Sequence, residues 1–270
     1  MKTILITGAS SGIGKATAQL FNQKGWNVIA TMRSPEREEK LTKLDNVFVS
    51  KLDVLDLESI NETISKGIEK FGKIDALVNN AGYGAYGPLE AFPRENMVNQ
   101  FNTNVIGLLD VTRAIIPHFR ENKSGTIVNI SSIGGKITFP LGSLYHGTKF
   151  AIEGISEALS YEMEQIGVRV KIVEPGMIAT DFGGRSFDFQ NDENLEEYQH
   201  TVSSLLKVWQ SGELIPSPPS LVADVIFEAT TDERSKLRYR AGADAEYLLD
   251  NRKRMDEDAF VTMIKKQYSL

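Results

Sequence analysis

The sequence predicts an α/β protein: one doubly wound parallel sheet, flanked by helices on both faces, in a single domain. Three observations predict it. Short apolar runs alternate with longer runs of helical period along the whole chain. The short runs are apolar at successive positions, as strands buried on both faces are. A glycine-rich turn, Thr7-Gly8-Ala9-Ser10-Ser11-Gly12-Ile13-Gly14, joins the first strand to the first helix, and a second strand follows, which makes a βαβ unit.

Ile4 to Ile6 is the first strand. The helical run with Ala16, Ala18, Leu20 and Phe21 stops at Lys24-Gly25, glycine being favoured just past a helix end. Trp26 to Met32 is the second strand. Ser34-Pro35-Glu36 opens a short polar helix, with serine as cap and proline in the first position. Val47 to Leu52 is the third strand and ends at Asp53-Val54. Asp56 caps a helix from Leu57 to Phe71, in which Ile60, Ile64, Ile68 and Phe71 share the buried face, and Gly72 ends it. Ile74 to Val78 runs into Asn79-Asn80-Ala81-Gly82. A helical pattern begins near Arg94 and continues from Asn104 through Leu108, Val111 and Ile115. Thr126 to Ile130 is the fifth strand. The helix holding Tyr145 runs to about Ile166, and Val168 to Val173 is the sixth strand, stopping at Glu174-Pro175-Gly176.

Beyond Pro175 the regularity breaks. Gly183-Gly184 and three aromatics, Phe182, Phe187 and Phe189, follow no period. An amphipathic run from Leu195 to Trp209 comes next, then Pro216-Ser217-Pro218-Pro219 and a helix from Leu221 to Thr230. A long insertion at the carboxyl end of a strand is expected to form a substrate lid, here about residues 183 to 220, inside one domain of residues 1–270. The alternative is a packed surface subdomain. Leu237 to Ala241 is a last strand, and the remainder to Leu270 is expected to be one charged helix.

Composition excludes several functions. A net charge of -6 and a pI near 5.3 argue against nucleic acid or an anionic membrane surface as the main partner. The absence of cysteine rules out disulfides and thiolate catalysis, and it suits a cytoplasmic location. His118, His146 and His200 lack ligand spacing, so no metal site is expected. The N-terminus is too polar for a signal peptide, and no run reaches the length of a membrane span.

The stretch from Ser132 to Lys149 carries the chemistry. Ser132 follows the fifth strand, while Tyr145 and Lys149 stand four apart at the start of a helix and share one face. A free phenol has a pKa of about 10. An ammonium one turn away favours phenolate and is expected to lower that value. Tyr145 could then exchange a proton with an alkoxide or an alcohol, and the Ser132 hydroxyl could hold the same oxygen. By itself, a Tyr-x-x-x-Lys pair on a helix is more often a solvated surface pair.

Taken together, Thr7 to Gly14, Asp53, Asn79-Asn80-Ala81-Gly82, Asn104, Ser132, Tyr145-x-x-x-Lys149 and Pro175-Gly176 fall in a specific order and spacing. Over about residues 1 to 182 the chain resembles the short-chain dehydrogenase/reductases. The resemblance implies a Rossmann-type domain that binds NAD or NADP. Gly8, Ser10, Ser11, Gly12, Ile13 and Gly14 would face pyrophosphate and ribose, with Asp53 and Val54 beside the adenine. Asn80, Ala81 and Gly82 would lie on the nicotinamide side, and Pro175, Gly176, Ile178 and Thr180 at the carboxamide. It also implies a tetrad of Asn104, Ser132, Tyr145 and Lys149 for hydride transfer between the nicotinamide and a carbonyl carbon. In that scheme Tyr145 protonates the oxygen and Ser132 orients it. Lys149 lowers the tyrosine pKa and binds the ribose, while Asn104 positions a water that feeds protons to the lysine. The residues alone leave Asn79 open as a strand tie and Asn104 as a helix-kink residue. His146 projects about 100° around the helix from Tyr145 and is expected to be a neighbour rather than a catalyst. A homo-oligomer, dimer or tetramer, is a further implication.

The cofactor can be read more finely. An NAD-preferring domain of this type carries Asp or Glu at the end of the second strand, on the ribose 2′-OH. Aligned on Gly25, that position is Met32, and Arg33 follows. No carboxylate repels a 2′-phosphate there, and a guanidinium is available to grip one, with Ser34 and Ser10 in support. NADP(H) is therefore the expected cofactor, the alternative being that Arg33 is a solvated charge paired with Glu36. The expected function is that of a carbonyl reductase acting on a small-molecule ketone or aldehyde. Its apolar pocket would include Phe139, Leu141, Phe182, Phe187, Phe189 and Leu195. The alternatives are a dehydrogenase of a hydroxysteroid, retinol or sugar alcohol, and a dinucleotide-sensing regulator without turnover. A sensor has no need of Ser132, Tyr145 and Lys149 together.

Overall fold

The structure, a computed structural model, describes residues 1–180, 184, 186–211 and 215–270. Seven parallel strands make the main sheet: β1 (Thr3–Ile6), β2 (Asn27–Met32), β3 (Val47–Lys51), β4 (Ala76–Asn79), β6 (Gly125–Ile130), β7 (Val168–Pro175) and β9 (Arg238–Ala241). Their spatial order is β3-β2-β1-β4-β6-β7-β9. The chain therefore winds outward from β1 in one direction and from β4 in the other. The crevice between the carboxyl ends of β1 and β4 is the switch point where such sheets bind ligands.

Both faces are buried, as the apolar strand runs require. Ile4, Ile6, Val28, Val78, Val128 and Val173 pack on one face with Phe21 of α1 (Gly12–Gln23) and Ile226 of α7 (Pro219–Thr231). Leu5, Ile29, Leu77 and Ile127 point to the other face. There they meet Ile64 of α2 (Leu57–Phe71), Phe119 of α4 (Gly107–Asn122) and Met163 of α5 (Ser143–Glu164). This is the two-residue alternation of a strand expressed as two cores. Asp56 caps α2 as expected, accepting from the backbone N–H groups of Glu58 and Ser59 at 3.0 and 3.2 Å.

Three local expectations are corrected, and one strand pair was not expected. The helix expected at Ser34 is a single 3-10 turn, Pro35–Arg37, and the Ser34 side chain makes no capping bond. The run from Arg94 is α3 (Arg94–Phe101) joined to α4 through a π-helical turn at Asn102–Ile106. The charged tail is two helices, α8 (Ala243–Arg254) and α9 (Glu257–Gln267). Asp56-like capping by Asp256, which accepts from Ala259 N–H at 2.7 Å, starts the second of them. Finally, β5 (Gly84–Tyr86) and β8 (Phe187–Phe189) pair in parallel as a small second sheet. Three-residue strands whose partners lie a hundred residues apart have no periodic signature.

The carboxyl ends of β1 and β4 are tied by Thr7. Its Oγ1 accepts from the N–H groups of Asn80 and Ala81, each at 3.0 Å. Asn80 returns two bonds, Nδ2 to the carbonyls of Thr7 and Gly8 at 2.9 and 3.1 Å. Asn79 is the strand tie that its residue type allowed: its Nδ2 donates to Thr112 Oγ1 and Asn129 Oδ1, both at 2.9 Å.

Candidate active site

Gly8 to Gly14, Arg33, Asp53, Asn80 to Gly82, Ser132 and Gly176 each follow a parallel strand and so lie at the carboxyl edge of the main sheet, while Asn104, Tyr145 and Lys149 come from helices. Gly8 to Gly14 form the turn from β1 to α1, with positive φ at Gly8 (68°) and Gly12 (52°) that side chains disfavour. Gly14 is a close approach: a Cβ there would strike the Gly8 carbonyl and Asn80 Nδ2. Ser11, the residue before α1, makes no side-chain capping bond, so the open N–H groups of the helix start face the crevice. Such a start attracts phosphate. Thr180 closes the opposite side, with its Cγ2 3.2 Å from where a Gly12 Cβ would stand. Ser10 is exposed and Ile13 half-buried.

Arg33 leaves β2 exposed, and it has no ion-pair partner among the described residues. Glu36, its suggested partner, lies instead 3.8 Å from Arg37. Met32 is buried. Asp53 is half-buried and its Oδ1 accepts from Leu55 N–H at 3.1 Å. Val54 turns into the core against the Gly107 backbone, so only its main chain faces the crevice. Pro175 ends β7, and the loop after it is gripped from the C-terminal half of the chain. Asp244 accepts from Met177 N–H at 2.6 Å, and Ser217 exchanges backbone bonds with Met177 and Ala179, both 2.9 Å. Gly176 leaves room for this contact, since a Cβ there would displace the Asp244 carboxylate. Sequence reasoning missed Asp244, which lies outside every motif.

Ser132, Tyr145 and Lys149 come together, all nearly buried. Ser132 Oγ accepts from Gly134 N–H at 3.0 Å and its hydroxyl hydrogen-bonds Tyr145. Lys149 Nζ donates to the Ile130 carbonyl at 2.9 Å and stands 5.8 Å from the centre of the Tyr145 ring. The expected lowering of the tyrosine pKa by Lys149 is overturned. Burial pushes Tyr145 up to about 12, with the Ser132 hydrogen bond working against it. Burial also draws Lys149 down to about 8, opposed by the charge of Glu153. Desolvation governs both groups, because removing either charge from water is costly.

Asn104 lies in the π-helical turn, a distortion that recurs at functional sites. Its side chain brackets Tyr83, donating to the Tyr83 carbonyl at 2.9 Å and accepting from its N–H at 3.1 Å. It also donates to Thr148 Oγ1 at 3.1 Å. The amide thus fastens α5 to the loop after β4 rather than reaching Lys149 itself. His146 is the structural neighbour expected, with a definite task. Nδ1 lies 2.9 Å from the Gly134 carbonyl and Nε2 accepts from Phe139 N–H at 3.0 Å. This pattern requires the Nδ1–H tautomer, and burial lowers its pKa to about 4. It pins the loop in which Leu141 holds φ 62°, a left-handed conformation costly for that residue.

An aromatic wall surrounds Tyr145. Tyr86 lies 5.6 Å from it between ring centres, and 5.3 Å from Trp209. Phe187 and Phe189 stack behind, and Phe139 lies 6.2 Å from Tyr268 of the C-terminal tail. Leu141 joins the same cluster. Leu195 is half-buried, while Phe182 lies outside the described residues. Among the described residues no group of three or more His, Asp or Glu could hold a metal ion, and no helix is long and apolar enough to cross a membrane.

Comparison with known proteins agrees with this geometry. Residues 2–191 match the family model described as short chain dehydrogenase. An uncharacterized oxidoreductase of Schizosaccharomyces pombe is 46% identical over 242 residues, covering 88% of this chain and all of that protein. A crystal structure of a short-chain dehydrogenase from Streptomyces avermitilis superposes with a TM-score of 0.85 at 34% identity, covering 98% of this chain and 95% of that one. A structure of ElxO with NADP bound gives 0.73 at 29% identity, covering 88% and 97%.

The neutral, buried His146 makes a prediction about stability. Between about pH 6.5 and about pH 4 the unfolded ring takes up a proton that the buried ring does not. Wild type therefore gives up stability as pH falls through that window. His146→Leu is expected to be less stable at pH 7, where it loses both loop bonds, but to lose roughly 2–3 kcal/mol less than wild type between pH 7 and pH 4.5. Urea unfolding at the two pH values checks this; equal pH dependence in both proteins would refute it.

Proposed function

The chain belongs to the short-chain dehydrogenase family, and on that footing we propose that it is an NADP(H)-dependent reductase of bulky, apolar ketones or aldehydes. The observation that carries this reading is the buried, proton-holding Tyr145, hydrogen-bonded to Ser132 beside a glycine cradle and an aromatic wall.

The cradle fits a dinucleotide. Gly8 to Gly14 offer uncapped helix N–H groups to the pyrophosphate. Asp53 and the Val54 backbone would stand at the adenine end, Asn80 to Gly82 on the nicotinamide side, and Pro175, Gly176, Ile178 and Thr180 at the carboxamide end. Lys149 and Tyr145 would hold the nicotinamide ribose. When bound, the nicotinamide supplies the hydride. The remaining work belongs to the protein. Ser132 holds the carbonyl oxygen, and Tyr145, protonated at neutral pH, gives that oxygen its proton. The ammonium of Lys149 then faces the new phenolate. A lysine near pKa 8 also suits the return of a proton to Tyr145 after each turnover. Phe139, Leu141 and Tyr86 line the substrate side, and Asn104 holds the frame.

The segment of about residues 183 to 220 is proposed as a lid. Its helix α6 (Glu196–Gln210) buries only Val202 and Leu205, and three residues of β8 pair it to β5. So little burial implies a low local opening energy.

Three outcomes follow. Tyr145→Phe keeps the ring but loses the proton, so turnover falls by at least about 10²–10⁴-fold while NADPH binding persists; substantial turnover by this variant would refute the acid. Arg33→Ala weakens NADPH by roughly ten- to hundredfold and leaves NADH nearly unchanged, and wild type preferring NADH in kcat/KM would overturn the assignment. In hydrogen exchange, α6 gains protection when NADPH and a ketone are added; equal protection with and without them removes the lid.

A further inference from the structure

We propose that Glu153 is a positioning residue for the reaction: its buried carboxylate, one helical turn beyond Lys149 and anchored by Arg238, keeps the lysine charged. The inference rests on the role assigned above to Lys149.

Three features of the geometry carry it. Glu153 and Lys149 are four apart on α5 and share its sheet-facing side, both nearly buried. Gly135 seals them in. A Cβ on Gly135 would stand 2.9 Å from Glu153 Cγ, 2.9 Å from the Lys149 carbonyl oxygen and 2.7 Å from Ser131 Oγ. Finally, the carboxylate is only half satisfied. Oε2 accepts from Arg238 Nε at 2.9 Å, whereas Oε1 has no hydrogen-bond partner among the described residues. A carboxylate retained purely to hold Arg238 would gain nothing from leaving an oxygen buried and unpaired, a costly arrangement.

The local charge has the sign needed. Arg238 serves three carboxyl groups: Glu153, Glu157 on the exposed side of α5, and Glu174 on β7, whose Oε1 lies 3.6 Å from Nε. Lys136, from the loop after Ser132, and Arg240, from β9, also act on Glu174. Glu174 is buried, and its carboxyl is pushed up to about 7 first by desolvation and then by Glu153. Glu153 and Glu157 share the Arg238 guanidinium, and Glu153 is the buried carboxylate that stands four residues from Lys149 on the same helix. Glu153 is the charge that raises the lysine's pKa against its burial. A lysine in this position without Glu153 would shed its proton closer to neutral pH and stop supporting the Tyr145 phenolate.

The test is Glu153→Gln in the full chain. With lysine labelled by ¹³C, the Lys149 Cε signal of the cofactor-free protein, assigned by its absence in Lys149→Met, reports the lysine directly. Its titration midpoint is expected below that of wild type, and the alkaline limb of kcat with NADPH and a ketone moves down in step while the plateau at lower pH persists. Glu153→Asp, which draws the charge back, falls between the two and carries the test alone if the glutamine variant does not fold. An unmoved midpoint, or activity lost equally at all pH values, overturns the role of Glu153. Turnover by Lys149→Met would instead overturn the mechanism, and this proposal with it.

Discussion

The close seating of α5 on the carboxyl ends of β6 and β7 is the constraint on which the rest of the site depends. Gly134 and Gly135 let the turn after Ser132 lie against the helix without side chains between them. Water is thereby excluded from Tyr145 and Lys149, and desolvation rather than their mutual attraction sets their proton affinities. The phenol is raised to about 12 and the ammonium lowered to about 8. The buried phenol therefore holds its proton more tightly, and the buried ammonium more loosely, than either does in water.

That arrangement opposes stability. Lys149 binds its proton more weakly folded than unfolded, so the native state loses ground at every pH below about 8 and regains it as pH rises towards 10.5. Glu174 acts in the opposite window: its raised pKa favours the native state below 4.5, an advantage lost as pH rises through about 7. The two windows leave the protein without full benefit from either group near neutrality. The offset comes from the sheet, whose two faces bury apolar side chains from every helix that touches it.

The aromatic wall shows how a pocket can be built from unrelated segments. Tyr86 comes from β5, Phe187 from β8, Trp209 from α6 and Tyr268 from the tail. The parallel β5–β8 pair and the C-terminal helices bring them together. Asp244, at the start of α8, extends the same linkage to the loop after β7. The C-terminal third of the chain, which carries no transferable motif, thus contributes to the aromatic wall around Tyr145.

The sequence by itself determined the fold class, all seven strands of the main sheet and the grouping of Ser132 with Tyr145 and Lys149. These depend on local pattern: apolar runs buried on both faces, a cap such as Asp56, a glycine turn, and residues that follow parallel strands and so share one edge. Only the tertiary structure decided the β5–β8 pair, the π-helical turn at Asn104, the break in the tail and the inward turn of Val54. It also decided the proton affinities, where spacing on a helix argued for a lowered tyrosine and burial produced a raised one. The physical reason is common to all of these. Periodicity and propensity act between residues a few positions apart, whereas desolvation and side-chain pairing depend on what the rest of the chain places nearby.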